Sequence, residues 1–263
     1  MIVDYKAFEP FIDKFGLIAQ KNTAGADGGD STHRFGLIIS SLKLLDQPLW
    51  VDGVTPVDEY YKKTVDRYKV APNTYTRHPD HTKWYSNPTN FSRDQTTMLF
   101  KSMMMMYDKP RASGLFKKIL SNFGFYPNVY PNYAVVGGSD YVKKVPDILT
   151  PAGVADYVRS RRNPIMYPIL CVLDLFKFVD IYLANRDDNE AKTRGKRTDY
   201  FVMLAMDVAV SRSVQDTFVM RAVAKALSKT DYKSSVEWIF SPRWDDPPSA
   251  SLLIPAFERW IDN

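Results

Sequence analysis

The stretch Gly25–Leu45, GADGGDSTHRFGLIISSLKLL, decides how the chain is read. Gly28 and Gly29 allow backbone angles that other residues resist, and Asp30 or Ser31 can cap a helix running to about Leu45. Free N–H groups and the positive dipole end of that helix would meet an anion or a hydrogen-bond acceptor. With Asp30 as cap, His33 and Arg34 fall in the first turn, beside the same opening. Two carboxylates, a histidine and an arginine within eight positions exceed what capping requires. Asp27, Asp30, His33 and Arg34 are therefore candidate site residues.

A second stretch repeats the arrangement. Tyr75–Tyr85, YTRHPDHTKWY, leads through Phe91 to Ser92-Arg93-Asp94-Gln95, where Ser92 and Gln95 have capping-box spacing ahead of a helix reaching about Asp108. Trp84, Tyr85 and Tyr75 offer flat apolar faces for sugar rings or bases, and Arg77 and Arg93 can grip carboxylates or phosphates in bidentate fashion. All three histidines, His33, His78 and His81, lie in these two stretches, and histidine is the usual proton-transfer group near neutral pH. The candidate catalytic residues are Asp30, His33 and Asp94. The candidate substrate-binding residues are Asp27, Arg34, Arg77, His78, Trp84, Tyr85, Arg93 and Gln95. Pro79 and the tight spacing around His78, Asp80 and His81 fit no standard zinc pattern, and Asp27 and Asp30 lack the alternating ligands of an EF-hand, so no metal or other cofactor is expected.

Working outward, apolar residues recur at helical spacing nearly everywhere, as at Phe8, Phe11, Ile12 and Phe15. Helices are expected over about 7–20, 31–45, 57–68, 92–108, 113–123, 151–161, 168–185, 198–211, 214–228, 235–240 and 251–261. Thr55-Pro56 and Thr150-Pro151 each place a hydroxyl before a proline at a first helical position. Strand candidates are confined to 49–51 and 133–136. Four consecutive methionines, Met103–Met106, would face all sides of a helix and predict a fully buried, adaptably packed one. The fold class expected is all-α, an α/α hairpin array with at most a minor β-hairpin, in a single helical domain over 1–263.

Composition narrows the function classes. The chain has 263 residues with 45% hydrophobic and 25% charged, enough to bury a core. Its 35 basic and 30 acidic residues leave +5, too small an excess to imply a polyanion, so nucleic acid is disfavoured. Basic runs at Arg159–Arg162 and Arg194–Arg197 are read as solvated helix ends. The single cysteine, Cys171, excludes an internal disulfide and reads as a buried small hydrophobe. Charges interrupt the N-terminal residues and the apolar run 167–184, so neither a signal peptide nor a membrane span is expected, and the location expected is cytoplasmic or virion-associated. No phosphate loop, GxSxG elbow, HExxH helix or dinucleotide fingerprint is present.

At Asp27–Arg34, Arg77-His78-Pro79-Asp80, Trp84-Tyr85-Ser86 and Ser92-Arg93-Asp94-Gln95 the sequence resembles a group of uncharacterised helical proteins from bacteria and their phages, with Val145–Pro151 as a further shared element. The arrangement also resembles the α/α toroid of six-hairpin glycosidases, polysaccharide lyases and sugar epimerases. That resemblance implies paired helices in a ring, with acids, arginines, histidines and aromatics gathered at one mouth. A full ring takes twelve helices, and the about ten or eleven expected here imply an incomplete or compact toroid. The function implied is carbohydrate-active or carbohydrate-binding, a glycoside hydrolase or lyase acting on an oligosaccharide or acidic sugar. In a hydrolase Asp30 and Asp94 would be the carboxylate pair, within about 10 Å of each other. In a lyase or epimerase His33 or His78 would move the proton. The alternative is a non-catalytic structural or interaction protein, a virion component or a factor binding other phage or host proteins, whose polar helix starts form an internal network.

Overall fold

The computed structural model describes residues 3–19, 31–79, 93–121, 168, 171–172, 217–240 and 246–263. Element numbers below follow the described residues. These are mostly helical: α1 (Tyr5–Phe8), α2 (Ser31–Leu44), α3 (Val57–Thr64), α4 (Arg93–Met105), α5 (Lys109–Ser121), α6 (Phe218–Leu227), α7 (Tyr232–Ile239) and α8 (Ala250–Asp262). One two-stranded antiparallel sheet joins β1 (Lys69–Ala71) to β2 (Thr74–Tyr75), with Lys69 opposite Tyr75 and Ala71 opposite Thr74.

Helix α2 is central because from Phe35 to Leu42 its residues are apolar or small all round. Every residue from Ser31 to Leu42 is buried. Phe35 packs among the rings of Trp50, Tyr60, Tyr61 and Tyr68, and stacks at 6.0 Å on Tyr61. Gly36 faces α4 so closely that a Cβ there would lie 2.1 Å from the Met98 carbonyl oxygen. Leu37 joins the cluster formed with Leu253, Ile254 and Phe257 of α8. A helix with three apolar neighbours has no polar face to keep in water.

Contacts also give the direction of each helix. His33 meets Gln95 and Gly36 meets Met98, so α2 and α4 advance together. Arg34 meets Asp246, just before α8, and Asp46, just after α2, meets Arg259 near the end of α8, so α8 runs parallel to α2 as well. Helix α3 returns in the opposite sense, since Lys43 pairs with Asp58 at 3.1 Å and Ser31 bonds Tyr68 at 2.8 Å. Helix α5 follows α3, with Tyr61 bonded to Asp108 and Asp66 to Arg111. Helix α7 opposes α8: Tyr232 bonds Glu258, while Phe240 sits under Arg34 near the α8 entry. Three helices thus start at one end, and their partners run back.

Several expectations are corrected. The helix predicted over 7–20 is only α1 and a 3-10 turn over Glu9–Phe11. Asp13 then accepts from the N–H groups of Phe15 and Leu17, and Gly16 adopts φ +69°, so the chain folds back and Ile12 bridges Ile18. Pro56 stands at the N-cap of α3, one place before the helix, and the Thr55 hydroxyl donates to Asp52 Oδ2 at 2.6 Å instead of capping. The 57–68 helix ends at Thr64 and tightens to 3-10 over Val65–Tyr68. Around the candidate strand 49–51, Leu49 makes an isolated bridge to Pro56, and the strands lie instead at 69–71 and 74–75. Helix α5 starts at Lys109, before the expected 113, where Asp108 receives the N–H of Arg111.

The fully buried methionine helix is met only in part, since Met103 and Met104 are buried but Met105 and Met106 are half-buried. Cys171 is helical and buried. No helix among the described residues is long and apolar enough to cross a membrane. The helices expected at 151–161 and 198–211, most of 168–185, strand 133–136, the segments 145–151 and 185–197, and the arginines at 159–162 and 194–197 lie outside the described residues.

Candidate functional site

The parallel starts of α2 and α4, the approach to α8 and the segment after β2 come together. Thr32 is the first link: its hydroxyl donates to the carbonyls of Thr76 and Arg77, each at 2.8 Å, and its N–H bonds the Arg77 carbonyl at 3.2 Å. One of the orphan N–H groups of the α2 first turn is thereby satisfied by the incoming second stretch. Another, that of His33, donates to Gln95 Oε1 at 2.9 Å. The Gln95 side chain therefore caps α2, across the helix interface, as well as standing in the first turn of its own helix. Ser31 Oγ and the Tyr68 hydroxyl close the set at 2.8 Å, deep enough that burial pushes the phenol well above its usual range.

The charged centre is Arg34. Its Nε donates to Asp246 Oδ1 at 3.1 Å, its Nη2 pairs with the same oxygen, and its Nη1 donates to His33 Nδ1 at 2.6 Å. The guanidinium lies 5.0 Å from the centroid of the Phe240 ring, a cation–π contact that fixes its plane. The side chains of Arg34 and Asp246 are 6% and 0% exposed. Removing two charges from water costs several kcal/mol per ion, so the pair persists here only because attraction and multiple hydrogen bonds offset that cost.

An acid–histidine contact flanks this centre. Asp13 Oδ2 bonds His78 Nε2 at 2.6 Å, and Phe15 meets the His78 ring edge-on at 5.6 Å. Burial pushes the Asp13 carboxyl up, but the hydrogen bonds from His78 and from the Leu17 and Phe15 N–H groups outweigh it and hold the group below its usual value. Arg77 and His78 are both buried.

Five expected site residues, His33, Arg34, Arg77, His78 and Gln95, are thus joined by direct bonds or chain neighbours into one buried polar centre. His33 and Arg34 are core residues, 4% and 5% exposed, which excludes reading them as surface groups. Arg93 and Asp94 belong to the first turn of α4, and their side chains lie outside what is described. Asp27, Asp30, Trp84 and Tyr85, with His81, lie outside the described residues. Two members were missed from sequence, Asp13 and Asp246. Each had a signal: Asp13 stands three places before Gly16 in a turn, and Asp246 precedes Pro247-Pro248 at a helix entry, as Asp30 precedes Ser31.

The arrangement gathers two arginines, two imidazoles and two carboxylates, several of them bonded to one another, near the starts of α2 and α4 and the entry of α8. Among the described residues no group of three or more His, Cys, Asp or Glu could hold a metal ion. Compared with protein-family models, curated proteins and solved structures, the chain gives no match.

Proposed function

We propose that this is a carbohydrate-active or carbohydrate-binding protein of α/α-toroid type, a glycoside hydrolase or lyase with its site where α2, α4 and α8 begin. One observation carries the reading: three mutually parallel helices, alternating with antiparallel partners, start around a single cluster of His33, Arg34, Arg77, His78, Gln95 and Asp246. A ring of hairpins needs inner helices of one direction, and it needs the last to lie beside the first, as α8 lies beside α2. Asp30 and Asp94 are the carboxylates assigned to hydrolysis; they are the residues just before Ser31 and Gln95, both of which belong to the cluster.

A second reading, a non-catalytic structural or interaction protein of a phage with other phage or host proteins as partners, is favoured by the depth of the Arg34–Asp246 pair. A group committed to an internal ion pair has less to give a ligand. Thermal-shift binding of acidic and neutral oligosaccharides to the wild type and to Asp94→Asn separates the two. Stabilisation of the wild type, lost in the variant, supports the sugar site, and product analysis then separates enzyme from lectin. A variant that only melts lower, with no ligand effect on either protein, supports the internal network.

A further inference from the structure

We draw no further inference here: the strongest candidate, the turn over residues 12–18 latched beside the buried polar centre by the Asp13–His78 contact, belongs to the site already described, and nothing in the structure shows what its release would admit.

Discussion

Arg34 and Asp246 stand 212 positions apart and meet as an ion pair with side chains 6% and 0% exposed. The pair ties the start of α2 to the entry of α8, and removing one partner strands the other charge in the core. Asp246→Ala is expected to lose about 3–5 kcal/mol in urea denaturation, whereas Arg34→Met combined with Asp246→Leu recovers most of it. That double variant should be folded and unable to bind the oligosaccharide, which separates the pair's structural part from its part in the site. A double variant as unstable as the single one would show that packing cannot replace the charges.

Gly36 is expected to be intolerant where Gly114 is not. A Cβ on Gly36 would stand 2.1 Å from the Met98 carbonyl oxygen and 2.8 Å from Met98 Cβ, so the α2 and α4 backbones must separate. Against a helix-propensity gain of about 1 kcal/mol, the overpacking should win, with a net loss of about 2 kcal/mol for Gly36→Ala. On Gly114 the obstacle is the Asn73 side-chain oxygen at 2.2 Å, which can rotate away. Gly114→Ala should lie within about 1 kcal/mol of wild type, and equal melting temperatures for the two variants would contradict this account of the α2–α4 contact.

Ser41 lies on the α2 stripe facing α8, one turn past Leu37, fully buried and with no hydrogen-bond partner for its hydroxyl. An unsatisfied buried hydroxyl costs about 1–3 kcal/mol, and alanine is the better helix former. Ser41→Ala should therefore stabilise by about 1 kcal/mol, seen as a rise of roughly 2–4 °C in Tm. A drop in Tm would mean that the hydroxyl is serving a contact.

Asp13 gives the chain an acid-sensitive contact. Its folded-state carboxyl lies below the ordinary 3.8, so it contributes stability that is complete above that value and is lost as pH falls through the lower folded value. Asp13→Asn should cost about 1 kcal/mol at neutral pH by weakening the bond to His78. The gap between wild type and variant should close below pH 3.8 in an acid-unfolding series. A gap that stays constant into strong acid would place the effect elsewhere.

The long helices were legible in the sequence from their runs of apolar residues, even where, as at Pro255 in α8, punctuation disagreed. Expectations of 31–45 and 251–261 fall within a residue or so of α2 and α8. The N-terminal segment was not, since its helical spacing competes with Pro10, Asp13 and Gly16, and side-chain-to-backbone bonds at Asp13 won. The small sheet escaped because its turn, Pro72-Asn73, lies in a stretch read as loop, with Asn73 at φ 57°. Composition alone marked His33, Arg34, Arg77, His78 and Gln95 as belonging together. Asp246 could not be found that way: its partner is 212 positions distant, and only the packing of α8 along α2 brings them into contact.

The most direct test of the sugar site is amide chemical-shift mapping of the labelled protein titrated with oligouronides and neutral oligosaccharides. The account predicts saturable shifts at residues 31–34, 76–78, 95 and 246, with none at the opposite helix ends marked by Asp46 and Arg259. Shifts centred on Asp46 and Arg259, or no saturable shift with any saccharide, would contradict it.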